Sequence, residues 1–220
     1  RKKYMAITIN DKHSFLDYGL VLSSKVIGSP PVKKNYVEIM GGDGVIDLTN
    51  WFGAPKYSNR TLEFVFTRQF DMKAKFIEFW ELFLNELQGQ DARIILDEDP
   101  EYFYYGKVDL NYTQYKNVYT INMIVDAEPF KTKVKPTVVD VQFIKTSAEV
   151  TLKNMRKTVV PYITVSGTTR LFKAGYFRVL PSAGRWKIDD IFLVQGDNVI
   201  GVDIDREGQT ATFDYQEGTL

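Results

Sequence analysis

Phe15-Leu16-Asp17-Tyr18-Gly19-Leu20, Asp43-Gly44-Val45-Ile46-Asp47-Leu48-Thr49, Tyr57-Ser58-Asn59-Arg60 and Leu62-Glu63-Phe64-Val65-Phe66 follow one another between Phe15 and Phe70. Short apolar runs of strand character alternate there with Gly, Asp and Asn. Gly and Asn tolerate positive φ and Asp bonds its own backbone, so these residues punctuate strands with turns. Leu62, Phe64 and Phe66 fall on one face of a strand and Glu63 on the other. Nothing in the stretch looks catalytic. It reads as a scaffold that positions loops and edges against other chains.

Working outward, Tyr4–Ile9 alternates apolar and polar residues and is expected as a first strand, Asp17–Leu22 as a second. Gly28-Ser29-Pro30-Pro31 breaks the chain because proline cannot donate to a ladder. Lys33 and Lys34 follow on an exposed loop. Tyr36–Met40 is a third strand, closed by Gly41-Gly42-Asp43-Gly44. Downstream, Met72, Phe76, Phe79, Trp80, Phe83 and Leu87 recur at helical spacing, which predicts one amphipathic helix over Met72–Gln88. Asp71 is its expected cap and Gly89 its stop. A stripe of this kind on a lone helix packs on a sheet far more often than it fills a partner's groove. Ala92–Leu96, Tyr102–Val108 and Val118–Val125 are strands, the last two joined through a hairpin turn at Tyr115-Lys116-Asn117. One helix among many strands, without a βαβ rhythm, argues against a parallel α/β fold.

Glu128-Pro129-Phe130-Lys131-Thr132-Lys133-Val134-Lys135-Pro136 then brackets a lysine-rich run between prolines and is the expected domain boundary. The domains are taken as 1–133 and 134–220. Beyond it the pattern is all strand: Val138–Ile144, Ala148–Leu152, Tyr162–Val165, Tyr176–Val179, Asp190–Val194, Val199–Ile204 and Thr210–Tyr215. Gly196-Asp197-Asn198 and Glu207-Gly208 sit at hairpin spacing. Seven short strands with turn signals between them predict a β-sandwich. The fold class is therefore mainly β with one helix.

Charge and composition exclude several functions. The 28 basic and 28 acidic side chains balance, and they also balance within each half, so no basic face for general nucleic-acid binding is expected. Cysteine is absent, which rules out disulfides and thiolate metal sites and suits assembly in a reducing cytoplasm. No apolar run is long enough to span a bilayer, and Arg1-Lys2-Lys3 is not followed by the apolar core of a signal peptide.

Candidate chemistry is sparse. His13 is the one histidine; without Cys it offers no zinc constellation, no Ser-His-Asp triad is marked around it, and it is read as a turn residue. Asp97-Glu98-Asp99-Pro100-Glu101 lacks the spacing and the glycine of a calcium loop and reads as a solvated loop at a strand end. Gly41-Gly42-Asp43-Gly44 lacks the lysine and hydroxyl of a phosphate loop and reads as a turn. Trp186, beside Arg185, could stack a sugar, but filling or capping the sandwich is the preferred role. The chain is not expected to be an enzyme, and no catalytic, cofactor-binding or metal-binding residue is assigned.

The Phe15–Leu20 run, the Gly-Asp-Gly turn with Asp47-Leu48-Thr49, and Tyr57-Ser58-Asn59-Arg60 resemble the opening of the distal tail proteins of long-tailed bacteriophages. Tyr102-Phe103-Tyr104-Tyr105-Gly106-Lys107-Val108 followed by Glu128-Pro129-Phe130-Lys131 is similar to the way their first domain ends. Gly184–Gly196 and Thr212-Phe213-Asp214-Tyr215-Gln216-Glu217-Gly218 resemble their galectin-like sandwich. The resemblance implies a tail-tube-like first domain that forms a ring, usually a hexamer, around the channel at the tail tip, with the sandwich outward. It implies as partners other copies of the chain, the tail tube protein, a tail-associated lysin or fibre protein, and receptor-binding proteins. DNA would pass through the ring without sequence-specific binding, and no membrane would be entered. The implied location is the virion tail tip, after assembly in the host cytoplasm. Galectins proper bind galactosides through a His-Asn-Arg strand motif; residues 136–220 contain no His, so sugar binding is not carried over. The reading from a different class is a two-domain carbohydrate-binding adhesin.

Overall fold

The computed structural model describes residues 5–51 and 53–220, so Tyr4 and the Arg1-Lys2-Lys3 start lie outside the described residues. The chain divides into two compact units, one running to Lys131 and including Leu220, the other Thr132–Thr219.

The first unit holds β1 (Ile7–Ile9), β2 (Lys12–His13), β3 (Val21–Ile27), β4 (Tyr36–Glu38), β5 (Val45–Asp47), β6 (Arg60–Gln69), α1 (Lys73–Leu87), β7 (Asp91–Leu96), β8 (Asp99–Tyr115) and β9 (Val118–Ala127). Antiparallel ladders join them in the order β2-β1-β7-β8-β9-β6-β3. The period of two in β6 buries Leu62, Phe64 and Phe66 opposite Val125, Met123 and Ile121 of β9. Phe83 and Leu87 of α1 close this core, and Phe83 meets Tyr18 edge-on at 5.0 Å. At the other end of the helix Phe76 stacks on Tyr119 at 3.7 Å and packs with Phe70. The helix therefore packs on the sheet, as its stripe predicts.

Several expectations shift. Asp17–Leu22 is not a strand: Asp17 and Gly19 N–H donate to His13 O and Phe15 O, a turn that Gly19 completes at φ 63°. The second long strand starts instead at Val21. Asp71 does not cap the helix; Met72 occupies the N-cap without a side-chain bond, and is exposed rather than part of the apolar stripe. Gly89 does end it, at φ 68° with its N–H on Val108 O. β8 is far longer than Tyr102–Val108, because Leu110 and Tyr112 continue its alternation up to the turn at Lys116, φ 55°.

The second unit begins within β10 (Lys131–Lys133) and contains β11 (Thr137–Gln142), β12 (Ser147–Asn154), β13 (Tyr162–Val165), β14 (Thr169–Lys173), β15 (Tyr176–Leu180), β16 (Gly184–Lys187), β17 (Gly196–Ile204), β18 (Thr210–Tyr215) and β19 (Gly218–Thr219). Two four-stranded sheets, β11-β18-β13-β16 and β12-β17-β14-β15, enclose one core that includes Leu152, Ile163, Leu171, Ile200, Val202 and Phe213. This is a β-sandwich. The strand expected at Asp190–Val194 is absent. Ile191 and Leu193 are buried and their neighbours exposed, which mimics a strand, but the segment makes only an isolated bridge, Val159 to Leu193. Gly196-Asp197-Asn198 is not a hairpin turn either; it opens β17, where buried Asn198 takes Val194 N–H at 2.9 Å and donates to Val194 O at 2.8 Å and Gly196 O at 3.0 Å. A side-chain amide thus supplies the partners that a ladder would have supplied.

Candidate assembly surfaces

β3 and β6 are antiparallel neighbours with Ile27 opposite Leu62, yet the chain between them runs from Gly28 to Asn59. A simple hairpin needs only about 2–5 residues there. The excess forms an arm. Its root is fixed by fit: a Cβ at Gly28 would lie 2.6 Å from Thr61 O, so only glycine is admitted. Gly28 O in turn accepts Arg60 Nε at 2.7 Å, while Arg60 Nη1 donates to Pro129 O at 3.3 Å and the guanidinium lies 5.4 Å from the Tyr104 ring centroid. Burial pulls the Arg60 pKa below its ordinary value, the Tyr104 interaction opposing it weakly.

Above the root, Ser58 N–H donates to Pro31 O and Lys33 N–H to Lys56 O, both at 2.8 Å. Asn35 N–H donates to Thr49 Oγ1 at 3.1 Å, and Asp47 Oδ1 accepts Thr49 N–H at 2.8 Å. Those bonds from Thr49, side chain first and backbone second, hold the Asp47 carboxyl below its usual pKa. Among the described residues β4 and β5 then pair only with each other, Tyr36 to Asp47, Val37 to Ile46 and Glu38 to Val45. Gly41 and Gly44 turn the tip at φ 75° and 84°, so the glycine-rich run is the turn it reads as.

The arm is polar at its root and apolar at its end. All six residues of β4 and β5 are exposed, and around them Met40 is 100% and Trp51 72% exposed. A two-stranded hairpin is marginal in water without a surface to cover one face. This one shows Tyr36, Val37, Ile39, Met40, Val45 and Ile46 to solvent, an apolar display of the kind that marks interaction sites.

Open strand edges are the second kind of surface. β3 is the outer strand at one end of the seven-strand order, and among the described residues β4 and β5 each leave one side unpaired. Leu62–Phe66 offers no open edge: β6 is hydrogen-bonded to β3 and β9 on its two sides. Lys25–Ile27 belongs to β3, where Lys25 Nζ pairs with the Glu98 carboxylate.

The residues of candidate chemistry are spent on structure. His13 Nδ1 accepts N–H from Phe15 at 3.2 Å and Leu16 at 3.1 Å, and its Nε2 lies 3.3 Å from Asp97 Oδ2. Within the acidic run, Glu98 meets Lys25 and Asp99 meets Lys131 at 2.6 Å, so three carboxylates face three separate partners rather than one ion. Among the described residues no group of three or more His, Asp or Glu could hold a metal. Trp186 packs against the sandwich core, the role preferred from sequence. No helix of the described residues is long and apolar enough to cross a membrane.

No protein-family model matches the chain, and no curated protein does. Among solved structures it is similar to the crystal structure of the SPP1 Dit protein (gp 19.1), presented as a paradigm of the hub adsorption apparatus in phages that infect Gram-positive bacteria. That match has a TM-score of 0.70 at 16% identity and covers 99% of this chain and 100% of that one. At such identity the likeness is one of fold. The mainly β, one-helix fold read from the sequence is thus the fold found, and the SPP1 Dit protein shares it over nearly the whole chain. A de novo designed double-stranded β-helix matches 38% of the chain with a TM-score of 0.28, which carries no argument.

Proposed function

We propose that this chain is a structural subunit of a phage tail tip, a distal tail hub that closes into a ring and joins the tail tube to the host-recognition apparatus. The observation that carries this is the correspondence of fold with the SPP1 hub protein over 99% of the chain. Residues 1–133 would form the ring and residues 134–220 an outward, galectin-like sandwich that offers attachment to a lysin, fibre or receptor-binding protein. DNA passes through the ring without base-specific contacts, and the subunit assembles in the host cytoplasm before it resides in the virion. Six subunits is the number the sequence resemblance implies.

A ring needs a heterologous contact, one surface meeting a different surface on the next copy. The arm supplies one half of it. Its root is pinned by Gly28 and Arg60 while its apolar tip stands exposed. Laying that hairpin on a neighbour would bury Met40, Ile46 and Trp51. Near-zero charge in the first half, 17 basic against 18 acidic side chains over residues 1–134, lets like subunits approach. Negative-stain imaging of concentrated protein should show rings with a central hole, and gold-labelled antibody should mark the tip end of the tail. Label along the tube, on the head or only on free cell-surface material would overturn the reading.

A further inference from the structure

β8 outruns its neighbour β7. Its ladder with β7 reaches only Lys107, opposite Asp91, while its ladder with β9 runs on to Tyr115. The first stretch past Lys107 is covered by the chain that leaves α1. Gly89 N–H donates to Val108 O at 2.8 Å, Val108 N–H to Gln90 O at 3.0 Å and Leu110 N–H to Gln88 Oε1 at 2.7 Å. The N–H and C=O of a strand residue point to one side, and alternate residues repeat that side. The backbone of Tyr112 and Gln114 therefore points the same way as that of Val108, where the ladder with β7 does not reach. β10, which also pairs with β8, is held at the far end, where Lys131 meets Asp99. Leu110–Gln114 is thus an open edge inside the sheet.

α1 turns one flank to this edge. Ile77, Trp80 and Leu84 precede Gln88 at helical spacing, and Gln88 is the residue that reaches Leu110. Phe76, Phe83 and Leu87 are spent on the core; this second stripe is not. Trp80 and Leu84 are half-buried and Ile77 is exposed. The Trp80 ring stands 4.9 Å from that of Tyr112, which is itself exposed. The two features form a cleft with an apolar helix flank on one side and unpaired strand backbone on the other. Such a cleft selects an extended segment, whose backbone bonds the edge while every second side chain lies on the helix. Phe70 N–H donates to Asn117 O at 3.0 Å, so the start of α1 and the β8–β9 turn share one end of the cleft. Lys73, Lys75 and Lys116 outnumber Asp71 at that end.

The arm of another copy meets each of these demands. Its register sets Val37 against Ile46 on one face of the hairpin, with Ile39 two residues on, and Tyr36 against Asp47 and Glu38 against Val45 on the other. One face is therefore apolar while the other carries the carboxylates. Among the described residues β4 and β5 each leave one side unpaired. From Tyr36 to Trp51 the chain holds Glu38, Asp43 and Asp47 and no Lys or Arg, which complements the basic end of the cleft. We propose that the arm of one copy adds as a strand to Leu110–Gln114 of the next, with Val37, Ile39 and Ile46 laid on Ile77, Trp80 and Leu84. This supplies the second half of the heterologous contact, and it rests on the ring reading given above.

The chain has no cysteine, so paired cysteines report this contact without background. The double variant Ile46→Cys/Ile77→Cys, oxidised in concentrated full-length protein, should give a ladder of covalent oligomers on a non-reducing gel. The two single variants mixed should stop at the dimer. Ile77→Asp and Gln114→Pro should each weaken association at least about tenfold in sedimentation velocity. Both should keep the melting temperature of the dilute monomer, because Ile77 is exposed and an edge tolerates proline where its N–H faces solvent. Rings in negative stain without the ladder would overturn this seat and leave the ring reading standing. A ladder without rings would support the seat and refute closure. No association up to about 1 mM protein would overturn both. Gln114→Pro that associates as tightly as wild type would overturn the strand addition.

Discussion

Met40 lies wholly in solvent at the tip of the arm, and Met40→Asp separates two roles the arm could have. If the tip were free, the substitution would be a surface change worth no more than about 0.5 kcal/mol. If the tip seats on a neighbouring subunit, the exposed side chain becomes a buried one. Burying a methionine contributes about 1.5–3 kcal/mol, and an aspartate in the same place must also shed its hydration. A loss of at least about 2 kcal/mol per subunit contact follows, and about 30-fold weaker association. The monomer should keep its melting temperature, because Met40 is 100% exposed and touches no core. Sedimentation velocity over a concentration series reads the association, and thermal unfolding of the dilute protein reads the fold. Rings that form at the wild-type concentration would refute the arm as the ring contact. A monomer that melts well below wild type would refute the claim that the tip is unsupported by its own unit.

Limited trypsin digestion should cut first within the arm, at Lys33, Lys34 or Lys56, and not at the junction of the units. Lys131 and Lys133 lie in β10 with their amines on Asp99 and Glu217, both at 2.6 Å, and Lys135 precedes Pro136, a bond trypsin resists; early fragments ending at Lys131 or Lys133 would count against this. Phe83→Ala removes a fully buried ring that stacks on Phe79 at 5.4 Å, and should cost the first unit about 3–5 kcal/mol in denaturant unfolding; a shift under about 1 kcal/mol would mean the helix is not essential to that core. Glu217 provides a pH signature in the second unit. Burial works to raise its pKa, but hydrogen bonds from Lys133 and Thr137 outweigh burial and hold it below the unfolded value near 4.5. Its contribution is therefore present above that value and lost as pH falls through the lower, folded one. Glu217→Gln should destabilise the second unit at pH 7 and by less as the pH drops below about 4; a gap that is the same at every pH would remove Glu217 from that role.

Period-two and period-3.6 patterns are properties of neighbours along the chain, and they carried most of the fold. Leu62, Phe64 and Phe66 announce β6, the stripe from Phe76 to Leu87 announces α1, and Gly41 to Gly44 announces a turn. The same patterns misled where a residue's burial came from a different cause. Ile191 and Leu193 plug the sandwich as a loop, yet they alternate like a strand. Asn198 looks like a turn residue, yet its amide lies in the core. Thr169–Lys173 and Gly184–Lys187 carry too little alternation to be seen, and become strands because β17 and β13 lie beside them.

The functional surfaces divide along the same line. A mainly β protein with one helix, without cysteine and with balanced charge, is legible from the chain alone, because composition and periodicity need no partner to be read. The order of its short motifs also carries the resemblance to distal tail proteins. Which edges are open is set by the folded arrangement. β6 is paired on both sides while β4 is not, and hydrogen-bonding across a sheet depends on residues distant in sequence. The same arrangement leaves Val37 and Ile46, apolar enough for any core, in solvent on an arm, and leaves β8 open at Tyr112 beside Trp80. Exposure and juxtaposition are set by what the rest of the chain folds against a residue, and no local pattern encodes that.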